Sequence, residues 1–239
     1  SLETMSTKDI SFPPLFRGKC VPAPASTFMK AIVAAKNNVS PGLIFYSEDI
    51  GSLEASIVLA PDISLKRALG MVLVVQMGIA DSLGALAPPE LAVHFNWPNS
   101  IKVNGAFCGK TFFSASTKEE DIIPEWLVLG FKIPFLWDQG KEAGENPNET
   151  VLSNEGCIDI TPSSLLESWS RHTLVWLNRF LDEGLSPVHR AWGEKCDNIG
   201  KTLSNPFNGK FMGLDEEANM ILKTSRETIV NKLSDYMET

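Results

Sequence analysis

Between His94 and Lys110 the chain reads HFNWPNSIKVNGAFCGK, a stretch that gathers an imidazole, a thiol, amides, a hydroxyl and two ammonium groups. Cys108 has the atom for nucleophilic work, but a thiol becomes a strong nucleophile only where a base or cation lowers its pKa, and no histidine lies near it in sequence. An unpaired cysteine on a strand reads instead as a small buried hydrophobe. His94 alternates with Phe95 and reads as core or rim. His172 shares a helical stripe with Trp169 and Trp176, where packing explains it, and His189 lies on a short polar helix and is assigned no role. The cations Lys102, Lys110 and Lys132 could offset the charge of a bound anion, although on their own they also read as solvated strand ends. The four cysteines (Cys20, Cys108, Cys157, Cys196) show no CxxC pair, and no histidines stand at zinc-finger spacing, so neither a zinc site nor a disulfide framework is signalled.

The chain that must position these groups has 239 residues, 44% of them hydrophobic and 21% charged, enough for one sizeable core with a small appended module. Its net charge of -8 and its lack of a basic block exclude an extended run of phosphates, and so nucleic acid, as a partner. The most apolar run, Ala68 to Ala87, holds Gln76, Asp81 and three glycines, which argues against a membrane span. Scattered cysteines and a polar start without a signal pattern fit a reducing cytoplasm.

Spacing then predicts the elements. Ser26 caps a helix from Thr27 to about Asn37. Gly42 to Glu48 and Leu53 to Pro61 read as a strand hairpin. A long helix runs from a cap near Asp62 or Ser64 to Leu86, apolar almost all round and hence buried. Strands follow at Leu91 to Trp97, Ile101 to Val103, Ala106 to Ser114 and Glu125 to Phe135, with Asn104-Gly105 as the clearest hairpin turn. Asp138 to Asp159 is a long loop placed to lie over a site. Thr161-Pro162 starts a helix that Gly184 ends, Ser186-Pro187 starts a shorter one to about Lys195, and short strands fill residues 197–239. This order predicts an α+β fold: a mixed, mostly antiparallel sheet packed on helices over residues 1–196, and a small β-rich C-terminal module over 197–239.

WPNS (Trp97 to Ser100), then IKVNG and CGK, resembles the Trp-Pro-Asn-Asp hairpin of biotin protein ligases and their lipoate ligase relatives. PASTFMKA (Pro24 to Ala31) is similar to the segment leading into that family's first helix. WLVLGFKI sits where the family has a strand ending in Gly-x-Gly-Ile-Asn, and LDEGLSPVHRAWGEKCDNIG resembles its paired late helices. The resemblance covers roughly residues 15 to 235. It implies a class II synthetase-like fold, MgATP as cofactor, a small carboxylic acid such as biotin or lipoate as ligand, and a carrier protein domain whose lysine accepts the acyl group. It also implies substrate-binding roles for Trp97, Pro98, Asn99, Ser100, Gly109 and Gly130, and a homodimer through a sheet edge as one possible assembly.

The pattern also departs from the family. The Gly and Arg-rich phosphate loop is replaced by the short acidic YSEDIGSLE, the lysine before Trp97 is Asn96, the aspartate after Asn99 is Ser100, and Pro134 stands for the last asparagine. The catalytic lysine falls at Phe107 or, with Gly109 aligned to the family's glycine, at Ala106. Lys110 and Lys102 are the substitutes to consider, with Lys110 the single catalytic candidate. Strand alternation sends Lys110 to the opposite face from Phe107 unless a bulge intervenes. Three functions follow: an acyl-adenylating or acyl-transfer enzyme with relocated charge-stabilising groups, a non-catalytic module that binds a small acid or its carrier domain, or an interaction protein that retains only the fold.

Overall fold

The structure is a computed structural model that describes residues 10–47, 49–138 and 140–238. Its main sheet has seven strands: β1 (Arg17–Val21), β2 (Leu43–Ser47), β3 (Ser52–Leu59), β4 (Val93–Asn96), β5 (Ser100–Val103), β6 (Ala106–Ala115) and β7 (Leu127–Pro134). They lie in the order β1-β2-β3-β7-β6-β5-β4, with β1 parallel to β2 and every other pair antiparallel. The expected mixed, mostly antiparallel sheet is therefore present. β1 was not anticipated: it is short, holds a glycine and is flanked by Pro14 and Pro22, which obscure any strand periodicity, and only the pairing of Arg17–Val21 with Leu43–Ser47 makes it a strand.

Helix α1 (Thr27–Lys36) starts where expected, with the Ser26 side chain accepting a hydrogen bond from the Met29 amide. The long apolar helix is a correction. It is two helices, α2 (Leu65–Ala68) and α3 (Met71–Leu86), interrupted at Leu69 and Gly70. A side chain at Gly70 would meet those of Phe180 and Leu185, so a glycine there lets the neighbouring helix approach closely. The stretch Leu65–Leu86 is long and apolar enough to cross a membrane by length and composition, yet 78% of its most apolar window is buried inside this fold. Helix α4 (Pro162–Glu183) opens with a reciprocal capping box between Thr161 and Ser164 and closes on Gly184 at φ 76°, and α5 (Ser186–Glu194) follows at once.

One sheet face buries Leu53, Ala55, Ile57, Phe113, Leu129, Phe131 and Ile133 against α3, α4 and α5. Phe131 packs on Trp169, and Phe95 stacks on Trp192. The other face buries Phe45, Val58, Phe112 and Val128 under Phe28, Ala31 and Ala35 of α1. A ten-residue helix covers only part of a seven-stranded sheet, so the lower half of that face, around β5, β6 and the end of β7, is left to loops. Residues 202–231 form a separate antiparallel sheet, ordered β11 (Thr228–Asn231), β10 (Met220–Lys223), β9 (Gly209–Leu214), β8 (Thr202–Leu203). Its Phe211, Met220 and Leu222 join the same apolar core as the main sheet.

Candidate active site

The β5–β6 hairpin departs from simple alternation. Lys102 pairs with Phe107, but two residues earlier Ser100 pairs with Lys110, so β6 spends three residues where β5 spends two. The extra residue is a bulge at Cys108 and Gly109. Gly109 has φ 103°, and a β-carbon there would collide with the Lys132 carbonyl oxygen, so both the conformation and the close approach of β7 demand glycine. The bulge reverses the expectation for Lys110. Instead of opposing Phe107 across the sheet, Lys110 lines the same cavity as Phe107 and Ser100.

That cavity has a volume of about 570 Å³. Lys110 and Lys132 stand directly opposite each other across β6 and β7, and like charges so placed repel unless something negative comes between them. Glu54 pairs with Lys132 on the far side, across β3, but its carboxylate is committed to α1: it accepts from the Thr27 amide at 3.0 Å and from the Thr27 hydroxyl at 2.9 Å. Lys141, Asp138 and Glu149 reach the cavity from the loop, so its lining carries three lysines against two carboxylates. Phe107, Pro134, Leu136, Trp137 and Val151 supply an apolar wall. Among the described residues no arginine lines it. Lys102, the other candidate substitute, lies instead 3.9 Å from Asp197 and over the Phe107 ring.

The loop is anchored at this point. The Phe107 amide donates to the Asn148 carbonyl at 2.7 Å, and the Thr150 amide donates to the Phe107 carbonyl at 2.9 Å. The expectation that the 138–159 segment lies over a site thus has a structural counterpart in Asp138, Lys141 and Glu149–Val151. On the other side Ser100 and Phe107 also line a second cavity of about 470 Å³, between the Trp97–Ser100 turn and the C-terminal sheet, walled by Asn96, Asn198, Thr202–Phe207 and Tyr236.

The turn between these cavities is held from beneath. Gln76 of α3, fully buried, donates to the Pro98 carbonyl and to the Thr111 hydroxyl, both at 3.0 Å, and accepts from the Trp192 indole at 2.6 Å. All three bonds are satisfied, which makes the turn a fixed feature of the core. Trp97 is 4% exposed and donates its indole N–H to the Ala218 carbonyl at 2.8 Å, with Phe207 and Tyr236 against its ring. The Asn99 carbonyl accepts from the Thr111 amide at 2.8 Å.

Of the expected site residues, Ser100, Gly109 and Lys110 line the first cavity, while Trp97, Pro98 and Asn99 line the second, with Ser100 common to both. The fold does not bring Gly130 to them: this residue lies under α1, where a β-carbon would collide with the Phe112 ring and the Ser56 hydroxyl. Cys108 is buried beneath the bulge, and burial, with the nearby Cys157 and Glu155, pushes its thiol up to about 12, which agrees with a packing role. Sequence reasoning missed Lys141, Trp137 and Glu149–Val151, whose irregular stretch carries no periodic signal. It also gave Gln76 no site role, although an amide inside an apolar helix was a usable sign.

A crystal structure of a biotin protein ligase-like protein of unknown function from Silicibacter sp. is 38% identical, with a TM-score of 0.89 over 96% of this chain and 100% of that one. The biotin protein ligase of Aquifex aeolicus in complex with biotin and ATP superposes with a TM-score of 0.67 at 16% identity, over 90% of this chain and 96% of that one, a likeness of fold. The bifunctional ligase/repressor BirA of Bacillus spizizenii is 22% identical over 210 residues, 81% of this chain, and the chain spans 61% of that relative's length. The model of the Biotin/lipoate A/B protein ligase family matches residues 12–194, a span that holds the bulged hairpin, its facing lysines and the Trp97–Ser100 turn, and the chain belongs to that family.

Proposed function

We propose that the chain binds a small carboxylic acid with an apolar body, in activated form, and transfers its acyl group to an amine on a carrier protein. The observation that carries this reading is the Gly109 bulge, which sets Lys110 beside Lys132 in the cleft next to the Trp97–Ser100 turn. The apolar wall suits the hydrocarbon body of the acid, and the two ammonium groups suit its carboxyl end or the single phosphate of an acyl-adenylate. In the transfer step the acceptor nitrogen attacks the acyl carbonyl carbon, a C–N bond forms, and the bond from acyl carbon to leaving group breaks. The leaving group departs with the electron pair and the nitrogen releases its proton to solvent. Lys110 and Lys132 offset the negative charge that develops on the way.

The residues suit this second half-reaction better than activation from MgATP. A triphosphate calls for several preorganised donors, and magnesium for carboxylates beside the phosphates. Here the turn offers the Ser100 hydroxyl in place of a carboxylate, and the β2–β3 connection is a tight turn in which Asp49 caps the Gly51 amide at 2.8 Å. The same tight turn favours a second reading, in which the chain binds the acid or its carrier without turnover. We read residues 1–196 as the ligase-type domain and 197–239 as the module that closes the second cavity, in a cytoplasmic protein.

The test is calorimetric titration with non-hydrolysable biotinoyl-, lipoyl- and octanoyl-adenylate analogues and with MgATP, followed by transfer assays from the corresponding acyl-adenylates and thioesters to a carrier domain. Micromolar binding of one analogue with carrier acylation supports the enzyme. Binding without acylation supports the second reading, and absence of binding by every analogue to the folded protein refutes both.

A further inference from the structure

Residues 10–47 carry Arg17, Lys19, Lys30 and Lys36 and not one aspartate or glutamate, in a chain whose net charge is -8. The fold gathers these cations on one face. Lys19 stands beside Phe45 in the β1–β2 register, on the side of the sheet that α1 covers, and Arg17, on the same side, donates to the Ser40 and Pro41 carbonyls of the α1–β2 connection. Lys30 and Lys36 are exposed on α1, beside Met29 and Val33, which lie one helical turn apart and are 56% and 54% exposed. The ion pairs of the described residues belong to Lys66, Lys102, Arg179 and Lys232, so among those residues no carboxylate matches any of the four. An exposed apolar pair rimmed by unmatched charge of one sign has the make-up of a contact surface, an apolar centre inside a polar rim.

This face adjoins the cleft. Thr27, the first residue of α1, donates to Glu54, and Glu54 pairs across β3 and β7 with Lys132. The exposed face thus begins within one turn of the contact that ties α1 to the strand beside Lys132. Charge then identifies the partner. An acceptor ammonium brought toward Lys110 and Lys132 is repelled by both, so a protein that delivers one needs negative charge elsewhere on its surface to draw it in. Resting on the reading of this cleft as an acyl-transfer site, we infer that the outer face of α1, with the β1 side chains Arg17 and Lys19, is the docking surface for the carrier protein, and that the carrier meets it with an acidic surface holding an apolar centre. Met29 and Val33 fill the middle of the contact and the four cations form its rim. The attraction acts mainly on the rate and selectivity of encounter, and it weakens as salt screens it.

The experiment measures by calorimetry, with no acyl donor present, the affinity of a biotinyl and a lipoyl carrier domain, each in an acidic form and in a form whose surface carboxylates are replaced by amides. The proteins are the wild type, a Lys30→Glu and Lys36→Glu double variant, and a Met29→Ser and Val33→Ser double variant. The expected result is that the acidic form of one carrier binds the wild type at least about tenfold more tightly than its neutral form at low salt, and that added salt removes the difference. Charge reversal at Lys30 and Lys36 should cost about tenfold in carrier affinity and leave the adenylate analogues bound as before. The Met29 and Val33 variant should weaken carrier binding without changing its salt dependence. Equal binding of acidic and neutral carriers, or full affinity in the charge-reversed variant, overturns docking on α1. So does failure of both acidic carriers to bind the wild type, and the analogue titration, which needs no carrier, then shows separately whether the acid cleft stands. Binding of the wild type to phosphatidylglycerol vesicles, lost on charge reversal while both carriers go unbound, overturns carrier docking and gives the face to a membrane surface. Should the charge-reversed variant not fold, the comparison of acidic with neutral carriers and the second variant decide between the same outcomes.

Discussion

Lys110 and Lys132 face each other across two strands without a carboxylate of the described residues within ion-pair distance, an arrangement that costs stability in the free protein and favours an anion in the bound one. Lys110→Met is therefore expected to weaken binding of the best acyl-adenylate analogue by about tenfold, as loss of one charge-assisted contact does. The melting temperature of the free protein should hold steady or rise, since a like-charge contact disappears. Calorimetry and thermal denaturation on the same preparation measure both effects. Burial is the main cause that raises Cys108 and Cys196 to about 12 from 9.0, reinforced at Cys108 by Cys157 and Glu155 and opposed at Cys196 by a hydrogen bond with Asn198. A group with a raised folded-state pKa contributes stability that is complete below its unfolded value and is lost as pH rises through the folded one. Stability should accordingly fall between pH 9 and pH 12, and fall less in a C108A/C196A double variant, while iodoacetamide at pH 8 should leave both thiols unmodified until the chain unfolds.

At the level of elements, the hairpin that carries Lys110 depends on a backbone conformation and on a buried amide. Gly109→Ala forces a β-carbon into the left-handed region and against the Lys132 carbonyl, so the strands must part or the bulge must move. A loss of about 1–3 kcal/mol is expected in urea denaturation, with analogue binding reduced because Lys110 shifts. Gln76→Leu removes the acceptor of the Trp192 indole and the donor to Pro98 and Thr111, leaving buried polar groups unpaired. About 2–3 kcal/mol should be lost in the same assay. Helix ends were legible because capping is local: Ser26, Thr161 with Pro162, and Gly184 act on amides and carbonyls within four residues. The break at Leu69 and Gly70 was not, since it answers to Phe180 and Leu185, more than a hundred residues away.

Over the whole molecule, the turn that names the family also joins the two sheets. Trp97 lies in the main sheet's hairpin yet makes its hydrogen bond and ring contacts with Ala218, Phe207 and Tyr236. The second cavity has one wall from each sheet, so its shape depends on this contact. Trp97→Ala should cost about 3–5 kcal/mol and expose the C-terminal sheet first. Hydrogen exchange would show faster exchange in β9 and β10 than in β3 and β7, whereas a uniform increase would mean the two sheets open together.

The chain by itself determined the order and kind of most elements, because apolar periodicity, caps and the Asn104-Gly105 turn operate over a few residues. It also carried the turn Trp97–Ser100 and the short acidic segment YSEDIGSLE, both of which are matters of residue identity. Tertiary structure alone decided the face of Lys110. One inserted residue in β6 inverts every side chain beyond it, and the cause, the crossing of the β7 backbone over Gly109, comes from a strand some twenty residues further on. It likewise decided that Gly130 serves packing under α1 and that Lys141 and Trp137 complete the cleft, because which loop closes on which strand is set by long-range contacts that local patterns do not encode.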